Sequence, residues 1–421
     1  MEVNQKEQVF IERSRGLNIM NGAGKFLNRL GFPIYNLDAR SIVKKAKKDA
    51  NYAGEVSNEL IVGLEQLVHS INKESRINAF GSIALKGLLK RTLTSRLKVE
   101  QSLYDNPDIL QSKITAPVFI IGMPRTGTTI LHSLLHEDVN HRSPLAWECL
   151  LPSPVPEPST FSDNPQLNTI KKEFGQLFKL VPDFQKKHHM TAESPQECIG
   201  ITALDFNSFQ TCAQVYIPSY LKWFAEESDQ LQTMRFHRRF LQYLESGGVR
   251  SERWLLKTPV HMMRLSALFE VYPDARIIMT HRDPAKVVPS AASLISSVRS
   301  LYSDYEDPAR SGMEQLDFWK MSFDRFMADR AQLNKENQIL DLHFNDFVQD
   351  QMACVDKIYS YFDWSLDDAS RSKMKDFLAS NPKGKHGSHE YCLEDFNLTQ
   401  SQVSEEFKEY YSFLDKMNYE K

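Results

Sequence analysis

The chain has no uninterrupted apolar run near the roughly 18 residues that a membrane span requires. Its five cysteines, Cys149, Cys198, Cys212, Cys354 and Cys392, are scattered without a C-x-x-C pair, which argues against both a disulfide framework and a zinc knuckle. The first thirty residues lack the apolar core of a secretion signal, so a reducing, cytoplasmic location is expected. Charge of one sign is missing too. The net charge is −3 over 421 residues, which excludes an overall positive field that would recruit nucleic acid or a membrane. Any anion site must therefore be local, made by a few placed groups. There are no internal repeats and no low-complexity tract. One further absence is local: the glycine turn Gly122-Met-Pro-Arg-Thr-Gly-Thr-Thr129 has Thr128 where a nucleotide-triphosphatase loop requires lysine.

What remains is an ordinary globular composition, 41% hydrophobic and 25% charged. Residues 1–113 contain only helical patterns, such as Leu60-Ile-Val-Gly-Leu-Glu-Gln-Leu-Val68, and their basic clusters are best explained as solvated helix faces. From Pro117 the pattern changes. Short apolar runs at Pro117–Ile121, Trp254–Leu256, Ala275–Thr280 and Gln338–Leu342 predict buried strands. They alternate with predicted helices at Thr129–Leu135, His261–Tyr272 and Pro284–Arg299. This alternation predicts an α/β fold with a central parallel sheet flanked by helices, preceded by the N-terminal helical region. The segment 151–250 interrupts it. It opens with four prolines in LPSPVPEPSTF and then turns helical and aromatic-rich, as an insertion or substrate lid would.

Ligands of parallel sheets bind beyond the carboxyl ends of the strands. After the first predicted strand, Gly122 and Gly127 permit tight turns, and successive amides can converge on an anion at the start of the next helix. Thr126, Thr128 and Thr129 lie in this loop with Arg125, which supplies a positive charge. After the second strand come Lys257-Thr-Pro-Val-His261; Lys257 can point into the crevice and His261 titrates near neutrality. After the third, Arg282 precedes the helix-start pair Asp283-Pro284, and Ser290 follows eight positions on, a fork and a hydroxyl suited to a second phosphate.

Pro124-Arg-Thr-Gly-Thr-Thr129 resembles the 5′-phosphosulfate loop of sulfotransferases that use 3′-phosphoadenosine-5′-phosphosulfate, PAPS. Arg282 and Ser290 resemble that family's 3′-phosphate pair. Trp147-Glu148 and Lys257-Thr258-Pro259 match its broad, largely bacterial branch. The resemblance runs from Pro117 to the C-terminal region, making 114–421 the sulfotransferase domain. It implies a P-loop-like fold and PAPS as co-substrate, with no metal required. It also implies transfer of a sulfuryl group to a hydroxyl or amine of a small-molecule acceptor, giving adenosine 3′,5′-bisphosphate. Arg125, Thr126, Gly127, Thr128, Thr129, Arg282 and Ser290 would hold the nucleotide. Lys383, Gly384 and Lys385 resemble the basic loop that closes over the 3′-phosphate.

Such a reaction needs charge stabilisation, assigned here to Arg125 and Lys257, and a general base. His261 is the first expectation. Cytosolic members place their histidine two residues after the lysine, where this chain has Pro259. Glu148 is the rival, because tyrosylprotein sulfotransferases use a glutamate in a comparable place. Glu193 and Glu197 rank third. Phe206, Phe209, Tyr216, Tyr220, Trp223 and Phe224 suggest a pocket for an apolar alcohol, phenol or lipid, or else they are core. An oligomer is compatible with the sequence. The competing functions are a P-loop kinase or nucleotide hydrolase, with Asp341 as a weak magnesium ligand, and a non-catalytic nucleotide-binding relative.

Overall fold

A computed structural model describes residues 10–32, 34–181, 190–382 and 391–417. Five parallel strands form its centre: β1 Val118–Gly122, β2 His141–Arg142, β3 Arg253–Lys257, β4 Arg276–His281 and β5 Ile339–His343, in the order β2-β3-β1-β4-β5. Strand side chains alternate between faces, and a parallel sheet is covered on both. The burial follows that rule. Val118, Ile120, Leu255 and Ile278 enter one core with Leu131, Leu134 and Leu135 of the helix Thr128–His136. Phe119, Ile121, Leu256 and Ile277 enter a second, larger core.

That larger core is shared with the N-terminal helices. Asn58–Glu74 contributes Leu60, Leu64, Leu67 and Ile71, and the long helix Ala79–Asp105 contributes Leu85, Leu89, Leu93 and Leu97. Spacings of three and four put each set on one helix face. Ser57 and Asn78 cap the two helices, each side chain accepting from the amide three positions on. The segment 151–250 adds helices to the same core. Phe206, Phe209, Tyr220 and Phe224 are buried there, and the Tyr220 hydroxyl donates to the Phe206 carbonyl at 2.7 Å. These four aromatics, one suggested source of an acceptor pocket, therefore fill the protein interior.

The four predicted strands are all present; β1, β4 and β5 are each shifted toward the carboxyl end by one residue, and β3 extends one residue further at both ends. The edge strand β2 went unpredicted because His141-Arg142 carries no apolar signal. The helix expected over His261–Tyr272 is instead a 3-10 turn, Pro259–Arg264, followed by a short helix, Leu265–Val271.

On β5, Asp341 accepts from both Arg330 amino groups at 2.9 Å and from the ring of His281 at 2.8 Å. Burial pushes its carboxyl up, but these bonds outweigh burial and hold it at about 2, below the ordinary 3.8. A carboxylate depressed in this way stabilises the fold above its unfolded value and loses that contribution as pH falls through the folded one. Asp341→Asn is therefore expected to cost about 2 kcal/mol near neutrality. In urea melts, the difference between the two proteins should close as pH is lowered from about 4 to about 2.

Candidate active site

Strand β1 ends in Gly122, whose φ is 132°, opposite Thr280 of β4. A Cβ on Gly122 would stand 2.5 Å from both the carbonyl and the hydroxyl oxygen of Thr280, so only glycine fits. The Thr280 hydroxyl lies 2.5 Å from that of Thr126, which also donates to the Met123 carbonyl at 2.7 Å. Thr126 is thus turned inward as a brace for the loop. Gly127, at φ 83°, forms the helix N-cap and has no side chain to satisfy the first-turn amides of Thr128–His136. Uncapped amides at the positive end of a helix dipole favour an anion.

Two groups of side chains flank this loop because β3 and β4 are the neighbours of β1. On the β4 side, Arg125 is itself left-handed at φ 65° and donates from Nε to the Ser290 hydroxyl at 3.0 Å. Arg282 donates to the Arg125 carbonyl at 2.7 Å and stacks 4.2 Å over the Phe344 ring. On the β3 side, Lys257 donates to the Thr129 hydroxyl at 3.3 Å and pairs with Glu197. Thr258 donates to the other Glu197 oxygen at 3.3 Å. Lys257 is almost wholly buried, whereas the Glu197 side chain keeps 31% exposure. The sequence-predicted residues Arg125, Thr128, Thr129, Lys257, Arg282 and Ser290 are therefore gathered at the carboxyl ends of three adjacent strands. A separate cavity of about 490 Å³, lined by Asp108, Lys113, Arg250 and Arg253, opens at the amino end of β3, away from these residues.

A sulfotransferase-family profile matches residues 117–368. The chain belongs to the sulfotransferase family. It is 24% identical over 293 residues to the omega-hydroxy-beta-dihydromenaquinone-9 sulfotransferases Stf3 of Mycobacterium bovis and Mycobacterium tuberculosis, covering 66% of this chain and 70% of theirs. Among solved structures, it resembles sulfotransferase STF9 of Mycobacterium avium, with a TM-score of 0.82 and 27% identity over 90% of this chain and 96% of that one. Sulfotransferase STF1 of Mycobacterium tuberculosis gives a TM-score of 0.79 and 28% identity over 89% and 99%. The protein is thus an enzyme that moves a sulfuryl group from a sulfate donor to a small-molecule acceptor. No helix among the described residues is long and apolar enough to cross a membrane.

Within this sulfotransferase, neither leading candidate for the base is exposed. His261 is fully buried, edge-on to Phe119 at 5.2 Å and to His237 at 5.9 Å. Burial first, then Arg264 and His237, hold its pKa well below the usual histidine range. Its ring shares the interior with His237 and Cys198, the one convergence of metal-ligand side-chain types among the described residues, and the Arg264 charge beside it opposes a cation. Glu148 is 1% exposed, accepting from Arg142 at 2.7 Å and from the Leu145 amide at 2.9 Å. Burial raises its carboxyl pKa against the pull of Arg142, whose guanidinium stacks 4.4 Å over Trp254. Glu193 pairs with Lys171 at 2.8 Å. Lys383, Gly384 and Lys385 lie outside the described residues.

Glu197, ranked third from the sequence, is the carboxylate that meets Lys257 in the structure. Its signal was available, a glutamate opening a short helix, but nothing local distinguished it from Glu193. The Asp341 carboxylate, which a kinase would need for magnesium, is committed to Arg330 and His281. Glu148→Ala should act on stability, because it leaves Arg142 buried without its counter-charge. A loss of about 3–5 kcal/mol in urea unfolding is expected.

Proposed function

We propose that the enzyme uses PAPS and transfers its sulfuryl group to a hydroxyl on an apolar, lipid-like acceptor, with Glu197 as general base. The observation that carries this reading is Lys257, which bridges Thr129 at the donor loop to Glu197 on the helical insertion. The residues fit the nucleotide on structural grounds. The loop amides lack a side-chain cap, and the guanidinium of Arg125 meets a neutral hydroxyl at Ser290. Arg282 and Ser290 would hold the 3′-phosphate. The amides of Thr128 and Thr129, with their hydroxyls, would hold the phosphosulfate end. Arg125, reaching Ser290 from the phosphosulfate loop, would link the two ends. Bound PAPS supplies an activated sulfuryl group on a phosphate leaving group.

The chain's own residues do the rest. Glu197 accepts the acceptor's hydroxyl proton, and Thr258 together with Lys257 fixes the orientation of its carboxylate. Lys257 and the helix amides meet the negative charge that develops on the leaving side. Glu197 comes from the segment 151–250, which gives that insertion its part in closing the acceptor side. The acceptor class is carried over from the Stf3 relatives, whose name specifies a hydroxylated menaquinone derivative.

Calorimetric titration with adenosine 3′,5′-bisphosphate tests the donor half. Removing one charged hydrogen-bonding partner is worth roughly 1.5–3 kcal/mol, so Arg282→Ala should weaken binding about 10- to 100-fold. No binding to the wild type would refute the PAPS assignment. Glu197→Gln should keep nucleotide affinity while lowering kcat by about 10²- to 10⁴-fold in a labelled-sulfate transfer assay. Undiminished turnover in that variant would remove Glu197 from the mechanism.

A further inference from the structure

The helix Arg15–Arg29 packs on the protein through Leu17, Asn21 and Gly24. A Cβ on Gly24 would be 2.5 Å from the Cβ of Ala79, and the Asn21 side chain accepts from the Phe80 amide at 3.0 Å. Lys25 pairs with Asp304 at 2.7 Å, and the preceding Arg13 pairs with the same carboxylate. The inner face is thus pinned and the helix cannot roll over. A helix seated this way ordinarily turns a polar stripe to solvent. This one turns outward Ile19, Ala23, Phe26 and Leu30, spaced at four, three and four residues. Ile19 is 72% exposed, Phe26 62% and Leu30 59%, and Phe32 just beyond the helix is also exposed. Contiguous exposed apolar side chains on a soluble fold mark an interaction surface.

Charge selects the occupant. From Arg15 to Phe32 there are three basic residues, Arg15, Lys25 and Arg29, and no acidic one. Exposed Arg15 and Arg29 lie on the side of the apolar stripe. A second copy docked symmetrically through this stripe would bring one basic edge against another, since both flanking charges are arginines, whereas an anionic bilayer complements them. We propose that this helix is a membrane-surface docking site. It lies in the interface of an anionic bilayer, with Ile19, Phe26 and Leu30 among the acyl chains and Arg15 and Arg29 at the headgroups. The net charge of −3 does not bear on this, since the patch is local. The inference stands apart from the donor and base assignments.

The experiment is flotation of the full chain with vesicles of phosphatidylcholine alone and of equal phosphatidylcholine and phosphatidylglycerol. Flotation with the mixed vesicles, weaker with phosphatidylcholine alone and at high salt, is expected. The exposed triple variant Ile19→Ser, Phe26→Ser, Leu30→Ser and the charge variant Arg15→Glu, Arg29→Glu should each lower partitioning at least tenfold. Melting temperature and adenosine 3′,5′-bisphosphate affinity should be unchanged in both, which separates a docking defect from a folding or active-site defect. A wild type that stays unbound, or variants that float equally well, would overturn the proposal. So would a dimer, seen by light scattering, that the triple substitution dissociates while vesicles fail to bind, since the stripe would then be a self-interface.

Discussion

The close approach of β1 and β4 at Gly122 and Thr280 organises everything at the carboxyl end of the sheet. With no side chain on Gly122, the Thr280 hydroxyl can reach Thr126, and Thr126 in turn ties back to Met123. The loop's shape is therefore dictated by the next strand over. That same strand continues into Arg282, which holds the Arg125 carbonyl and so supports a left-handed residue that is not glycine. Left-handed backbone in a residue with a side chain persists only where its surroundings over-determine it. Here the compensation comes from a hydrogen bond delivered by an adjacent strand about 4.8 Å away. A sheet with a different strand order would separate the loop from its braces.

Charges in this protein divide by whether their partners leave them reachable. Arg142–Glu148 and Arg299–Glu314 are buried pairs with further hydrogen bonds, and their carboxylates have no route to a substrate. Removing ions from water costs several kcal/mol each, so breaking such a pair leaves a costly uncompensated charge. The Lys257–Glu197 pair differs in kind. The lysine is buried while the glutamate side chain stays partly open to solvent. This asymmetry, more than residue type, separates Glu197 from Glu148.

The local features could be read directly from the chain. An apolar run that starts after Pro117 and ends in Gly122 made β1 legible, and β3, β4 and β5 were legible as short apolar runs alternating with helical stretches. The turn residues of the Gly122–Thr129 loop, the cap at Asp283 and the helix at Pro284 have local signatures of the same sort. Two-residue β2 had none. It exists because β3 offers an edge to pair with. His261 looked catalytic because it follows Lys257 closely, yet the 3-10 turn after Pro259 carries its ring inward against Phe119.

The sequence by itself determined four of the five strands, the glycine-bearing loop and the positions of Lys257, Arg282 and Ser290 after strand ends, because backbone sterics and side-chain periodicity act within a few residues. Only the tertiary structure decided which carboxylate meets Lys257. Glu197 is sixty residues away from it in the chain, and Glu148 and Glu193 are the same chemical group with different partners. That choice depends on how an insertion folds back over the sheet, on burial and on long-range pairing, none of which has a period that can be read along the chain.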